Sequence, residues 1–289
     1  MRVLEQAIAT AKTRKARVIL PETDDPRIVE ATRRLEAEGL AQPVALADAG
    51  PAEAYVDRLL ANRPGLKPAL ALRMLDKPLI RAAAMVSAGE ADAMVAGAAS
   101  ATRRVIEAAA LAIGMADGVE TPSSFFLMLM PDGRDLVFAD CAVNTDPDAR
   151  QLADIARASA ASARALLGDA RVAMLSYSTG SSGSGPSVDR VRAAAEACGF
   201  AGPVQADAAL NAAIGAKKGH DAPPANTLIF PDLDAGNIAY KLMQELGGAQ
   251  AVGPFLQGFA KPVCDLSRGA RVDDIVAATA VTLAMVNAA

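Results

Sequence analysis

The chain has 289 residues, enough for a sizeable core and for two domains of ordinary size. Apolar residues make up 52% and charged residues 21%, a globular composition that excludes disorder. The net charge is −4 with no run of like charges, which excludes the broad basic face a nucleic acid requires.

In chain order, the opening MRVLEQAIATAKTRKARVIL lacks the apolar core of a secretory signal. RVILPE (17 to 22) reads as a strand, followed by a helix from Pro26 through Glu38 with Ile28, Val29, Ala31 and Leu35 on one side. PVALAD (43 to 48) and AMVAGAA (93 to 99) are further strands, the second preceded by the helix of LIRAAAMVSAGEAD. FFLMLM (125 to 130) and LVFADCAV (136 to 143) flank PDGRD and predict a hairpin. A helix (148 to 167), the strand RVAMLSYS (171 to 178), a Gly/Ser loop and a helix (187 to 198) follow. PVQADAAL, the strand NTLIFPD (226 to 232), a helix from about 235 to 246 and a last helix (272 to 287) complete the chain, and only GAKKGHDAPPAN reads as flexible. No stretch is apolar over the length that a membrane span needs. This alternation predicts an α/β fold with mostly parallel sheets, whose ligands bind beyond the carboxyl ends of the strands.

The sole histidine, His220, sits in a polar segment and reads as an exposed loop residue. A Ser-His-Asp triad and a histidine-rich metal site therefore have little to build on, and acid–base chemistry falls to carboxylates. Cys141, Cys198 and Cys264 lie far apart and form no CxxC, which points to a reduced, cytoplasmic protein. Cys141, in FADCAVN, reads as a buried strand residue rather than a nucleophile.

YSTGSSGSGPSVDRV (177 to 191) has the strand-before, helix-after setting of an anion loop, with Pro186 at a first helical position and Ser187 beside the first-turn amides. It carries no lysine, so it is not a Walker A loop, and its glycines at 180, 183 and 185 do not spell GxGxxG. A cation for that loop stands in KPVCDLSRGARVDDIV (261 to 276), where Ser267 and Arg268 precede Asp273 and Asp274. Arginine binds phosphate bidentately, and a carboxylate can take a proton from an incoming nucleophile. Acidic residues that merely stabilise a helix N-terminus explain the spacing equally well.

PETDDPRIVEA, GEADAMVAGA, FADCAVN, LSYSTGSSGSGPSVDRV, IFPDLDAGNIAYKLMQELGGAQAVGPFLQGFAKPVCDLSRG and the following DDIV resemble the phosphate acetyltransferase (phosphotransacetylase) family, within the wider phosphate acetyl/butyryltransferase group, over about residues 17 to 287. The resemblance implies two α/β domains with an interdomain cleft, in the architecture of isocitrate and isopropylmalate dehydrogenases: residues 1–137 plus 264–289, and 138–263. It implies reversible acetyl transfer between acetyl phosphate and coenzyme A through direct thiolate attack in a ternary complex. No cofactor is implied, coenzyme A being a substrate, and no metal. Acetyl phosphate, coenzyme A and phosphate are the expected small-molecule partners of a homodimer, with no nucleic acid and no membrane.

By position in the family's motifs, the resemblance makes Asp274 the base on the thiol, and Ser267 and Arg268 the pair that orients reactants and stabilises the carbonyl and phosphate. Ser178, Thr179, Ser181, Ser123, Ser124, Asn144 and Arg63 are the implied substrate-binding residues. The chain departs from the family at GVETPSS (118 to 124), with Glu120 and Thr121 in places usually basic, and at Glu107, where arginine is common; Arg103 or Arg104 are the candidate replacements. Two alternatives stay open: a phosphate acyltransferase for a longer chain such as butyryl, and a non-catalytic module that senses acetyl-CoA or acetyl phosphate.

Overall fold

The computed structural model describes residues 3–286. The chain divides into two compact units, Met1–Val119 with Phe259–Ala289, and Glu120–Gly258. The first unit opens with α1 (Val3–Arg14), β1 (Arg17–Ile19), α2 (Pro26–Ala37), β2 (Gln42–Val44), α3 (Val56–Asn62), α4 (Pro68–Leu75), α5 (Pro78–Ala88), β3 (Ala93–Ala96) and α6 (Thr102–Ala108). The second holds β4 (Ser123–Leu129), β5 (Asp135–Ala139), α7 (Ala149–Leu167), β6 (Val172–Leu175), α8 (Pro186–Cys198), β7 (Ala201–Val204), α9 (Ala206–Leu210), α10 (Ala212–Lys217), β8 (Thr227–Ile229), α11 (Leu233–Glu245) and β9 (Gln250–Gln257). The chain then returns to the first unit with β10 (Val263–Asp265) and α12 (Val272–Ala284). The last helix was expected to reach 287, a residue outside the described range; it ends at Ala284.

In the first unit the strands run in the order β2-β1-β3-β10, all parallel. Every residue of β3 is buried, as expected of a short continuous apolar run between two helical layers. Parallel register brings the loops after Ile19, Ala96 and Asp265 out at one edge, since Val18 and Ile19 lie opposite Ala93 and Met94, and Asp265 lies opposite Ala96. The expected strand over 43 to 48 is shorter, because the chain turns into a 3-10 helix at Leu46–Asp48.

In the second unit the order is β9-β4-β5-β8-β6-β7, with β4 antiparallel to both neighbours and the remaining pairs parallel. The β4–β5 hairpin closes as expected through PDGR: Gly133 takes the left-handed conformation, at φ +89°, and Asp132 accepts the Arg134 N–H at 3.1 Å. Helix α7 is specified locally at both ends, by Asp148 as N-cap with Gln151 in a capping box and by Gly168 in the left-handed conformation after Leu167. Its buried stripe of Leu152, Ile155, Ala156, Ala160, Ala163 and Leu166 packs on the sheet, each Leu or Ile contributing about 1.5–3 kcal/mol. GAKKGHDAPPAN is more ordered than its composition implies. Its first residues complete α10, Lys218 Nζ bonds both Asp207 oxygens and Gln205, and His220 is half-buried rather than exposed.

Among the described residues no helix is long and apolar enough to cross a membrane, and no group of three or more His, Cys, Asp or Glu could hold a metal ion.

Candidate active site

Each unit carries its polar residues in the loops that leave the carboxyl ends of its parallel strands. In the first unit, Ser267 and Arg268 occupy the turn after β10, both exposed. The turn is closed by Ala270 N–H to Ser267 O at 2.9 Å and by Gly269 N–H to Ser267 Oγ at 3.3 Å. Asp274 follows in the first turn of α12, where its Oδ2 accepts the Arg271 N–H at 3.0 Å and Arg271 Nε at 3.4 Å, while Oδ1 accepts no bond from the described residues. Its neighbour Asp273 points elsewhere, into a 2.6 Å pair with Arg34 of α2 that holds its carboxyl below the usual carboxylate range. The acidic pair is thus divided: Asp273 docks α12 on α2, and Asp274 keeps an oxygen available.

Around this turn lie groups that sequence reasoning passed over. Glu22, after β1, accepts the N–H groups of Gly97 and Ala98 at 2.8 Å and of Ala99 at 3.1 Å, so its carboxylate organises the loop after β3. Asp265, the last residue of β10, is buried; its Oδ2 accepts from Thr102 Oγ1 at 2.6 Å and its Oδ1 has no partner. Burial is the main reason that its pKa is pushed up to about 7; Thr102 pulls it down and Glu22 raises it further. Gly97 is required at the crossing: at φ +108°, a Cβ there would stand 2.7 Å from Leu266 N and O.

A cavity of about 480 Å³ opens beside these loops, lined by Glu22, Asp24, Asp25, Lys77, Arg104 and Glu107 among others. Of the two candidate replacements for a missing basic residue, Arg104 therefore faces the cavity that Glu107 also lines, and Arg103 does not. Arg63, at the end of α3, is exposed and lies outside that lining.

In the second unit the Gly/Ser loop is tightly self-bonded. Buried Ser178 Oγ accepts the Gly183 N–H at 2.8 Å, and Thr179 N–H donates to Ser182 Oγ at 2.9 Å. Thr179 Oγ1 accepts from Gln205 N at 3.1 Å, and Gly180 N–H reaches Pro203 O at 3.0 Å. Ser178 and Thr179 brace the loop from within, whereas Ser181 on its crest is exposed. Pro186 opens α8 as expected, with Gly185 as N-cap and no side-chain cap, so the first-turn amides are not taken up by Ser187.

Ser123, Ser124 and Asn144, expected to meet substrate, are hydrogen-bonded within the unit. Ser123 donates to Gln257 Oε1 at 3.1 Å, and Ser124 gives both its N–H and its hydroxyl to Asp140 Oδ1. Asp140, 3% exposed, also accepts from the backbone of Ala142, Val143 and Asn144 and from Asn144 Nδ2 at 2.6 Å. Asn144 Nδ2 further donates to Pro122 O at 2.9 Å. A buried carboxylate with this many donors fixes the loop after β5. Nothing in the residue pattern of FADCAVN distinguishes Asp140 from its neighbours. Cys141 beside it is fully buried and its thiol is pushed well up, by desolvation first and by Asp140 second, so it is a core side chain. Glu120 pairs with Arg150, and Thr121 donates to Asp154 at 3.2 Å, so both departures from the usual basic pattern have structural partners.

Open α/β sheets bind ligands at their strand-end loops, and those of the first unit carry arginine, serine and carboxylate, side chains suited to small anions. Comparison with known proteins sharpens that reading. The family model described as phosphate acetyl/butaryl transferase matches residues 2–57 and 48–283. A phosphate acetyltransferase of Paracoccus denitrificans is 41% identical, over 98% of this chain and 98% of that protein. One from Pseudomonas aeruginosa is 40% identical over 96% of this chain, which spans 44% of that longer relative. The crystal structure of a phosphotransacetylase from Streptococcus pyogenes superposes with a TM-score of 0.90 at 34% identity, covering 98% of each chain. The chain belongs to the phosphate acetyl/butaryl transferase family.

Proposed function

We propose that this protein is a phosphate acetyltransferase that moves an acetyl group reversibly between acetyl phosphate and coenzyme A. The observation that carries the reading is the junction of β10 and α12: Ser267 and Arg268 are exposed on a closed turn, and Asp274 follows with one carboxylate oxygen fixed and the other available. A fixed carboxylate with a spare lone pair suits a base, and an exposed arginine suits a phosphate.

In this proposal Asp274 takes the proton of the coenzyme A thiol as sulfur attacks the acetyl carbonyl. The new C–S bond forms, the bond from carbonyl carbon to phosphate oxygen breaks, and phosphate leaves with the electron pair. Arg268 offsets charge on the carbonyl oxygen and on the departing phosphate, and the Ser267 hydroxyl orients the acyl phosphate. Holding both substrates together supplies much of the rate, so no acyl-enzyme, metal or organic cofactor is invoked. In the second unit Ser181 is the proposed phosphate contact, while Ser178 and Thr179 set the shape of that loop; Ser124 and Asn144 hold the separate loop after β5 through Asp140. Arg63, exposed after α3, is proposed as a substrate-binding arginine.

We also infer a cytoplasmic homodimer. Cys141, Cys198 and Cys264 form no disulfide, which suits a reducing compartment, and Ile238 and Leu242 on α11 with Leu246 just after it form an apolar stripe that is 56%, 51% and 83% exposed. Measuring molar mass in solution tests the assembly; a monomer at micromolar concentration rejects it.

The reaction is tested by mixing purified protein with coenzyme A and acetyl, propionyl or butyryl phosphate in turn and following thioester absorbance. Acetyl phosphate is expected to react fastest. Preference for butyryl phosphate would transfer the mechanism to a longer acyl chain, and absence of turnover with every donor would reject the enzyme reading.

A further inference from the structure

We propose that Arg27 is a positioning residue for acyl transfer: its guanidinium clamps the turn that carries Ser267 and Arg268 through the turn's own backbone carbonyls. The inference rests on the roles assigned above to those two residues.

Arg27 lies in the first turn of α2. Its Nη1 donates to Arg268 O and to Ala270 O, both at 2.8 Å. Its Nη2 donates to Ala98 O at 2.9 Å and to Asp25 Oδ2 at 2.6 Å, and its Nε donates to Asp25 Oδ1 at 3.0 Å. A guanidinium has five N–H groups in a rigid plane, and these bonds use all of them. Arg27 therefore keeps no donor for a substrate anion, which separates it from a binding arginine.

The clamp has a fixed base. Asp25 is the N-cap of α2 and accepts the Arg27 backbone N–H at 2.9 Å with the same carboxylate that grips the guanidinium. The Arg27 bond is the first cause of Asp25's lowered pKa, so the carboxylate stays charged through neutral pH. Helix geometry thus orients the carboxylate, the carboxylate orients the guanidinium plane, and the plane orients the carbonyls of Arg268, Ala270 and Ala98. From the other side Leu266 N–H holds the start of the turn to Ala96 O at 2.6 Å. Farther along α2, Arg34 binds Asp273 and ties down the start of α12. One helix therefore sets both the Ser267–Ala270 turn and the helix that bears Asp274. Lysine cannot reproduce this: its ammonium offers three donors from one point rather than a planar fork.

The test compares wild type, Arg27→Ala and Arg27→Lys as full chains. Read-outs are kcat, KM for coenzyme A, thermal melting and amide hydrogen exchange of the peptide spanning 266–272. Misplacing reacting groups by an ångström can cost 100-fold, so kcat is expected to fall roughly 100-fold in Arg27→Ala and roughly 10-fold in Arg27→Lys, with KM for coenzyme A within about 3-fold. Exchange in 266–272 is expected to rise in both, and added guanidinium ion to restore part of the kcat of Arg27→Ala. If Arg27→Ala fails to fold, Arg27→Lys decides. Unchanged exchange in that peptide, or faster exchange with wild-type kcat, overturns the proposal. A wild-type protein inactive with every acyl phosphate removes the acyl-transfer reading and with it the catalytic half of the proposal, while the exchange data separately decide whether Arg27 holds the turn.

Discussion

Asp140 gathers the backbone of Ser124, Ala142, Val143 and Asn144 and two side chains onto one buried carboxylate. Removing a buried charge that satisfies several donors leaves each of them unpaired, so Asp140→Ala is expected to destabilise by about 3 kcal/mol or more. Urea unfolding checks this, and a loss below about 1 kcal/mol, the net worth of a single ordinary hydrogen bond, would contradict the network's role. Cys141, one residue on, makes the opposite prediction. A buried thiol whose pKa is raised is a poor nucleophile, so Cys141→Ala is expected to retain turnover within about 3-fold. A collapse of kcat with an intact fold would reinstate the cysteine as a reactant. At this scale the sequence was a partial guide. Ser267, Arg268 and Asp274 are nominated by the family resemblance and not by their spacing, since acidic residues that open a helix account for that spacing equally well. Ser123 and Ser124 carried the same resemblance and are buried, while Asn144 is half-buried, placements the letters alone do not convey, since a serine reads the same whether its hydroxyl meets a ligand or a buried carboxylate.

Strand ends concentrate the unusual energetics of the first unit. Asp265 closes β10 with one oxygen bound to Thr102 and the other unpartnered against Gly97. Its folded-state pKa is raised to about 7, whereas an unfolded aspartate titrates near 4. Between these values the folded state holds a proton that the unfolded state has released. The group's stabilising contribution is therefore full below about pH 4 and is lost as pH rises through about 7. Asp265→Asn cannot ionise, so wild-type stability relative to it is expected to fall by on the order of 3 kcal/mol across that window. Denaturant unfolding of both proteins across the window measures the difference; a pH-independent difference would contradict a protonated Asp265. The elements themselves were unevenly legible. Helices α2, α7, α8 and α11 announced themselves by N-capping aspartates, by Pro at the first helical position, or by amphipathic stripes. Strands β9 and β10 did not: Gly253 and Pro254 interrupt one, and the other lies in KPVCDLSRG, where polar residues crowd a short apolar run, so tertiary pairing rather than local pattern makes them strands. Asp265 was missed for that reason, as a residue in an unrecognised strand reads as part of a linker.

At the scale of the whole chain, similarity was the more informative signal. The family match spans both units, and the alternation of strands and helices predicted the parallel strands of the first unit and the parallel part, β5-β8-β6-β7, of the second. What no local pattern conveyed was how loops distant in sequence share work, as Glu22 does with residues 97–99 and Arg27 with residues 268 and 270. These contacts arise from parallel register, which only the folded sheet reveals. The departures at Glu107 and Glu120 also acquire meaning only at this scale: Glu120 is absorbed by Arg150, while Glu107 lines a cavity with Arg104. The most direct test of the account is thioester formation from acetyl phosphate and coenzyme A by wild type and Asp274→Asn. Asparagine keeps a side-chain oxygen for the Arg271 N–H and loses the carboxylate's basicity together with its 3.4 Å ion pair to the exposed Arg271 side chain, a contact worth little to stability. Turnover by wild type, with kcat reduced about 100-fold or more in the variant at unchanged melting temperature, is the predicted result. Wild-type kcat in Asp274→Asn would remove the base from the mechanism, and an inactive wild type would remove the reaction.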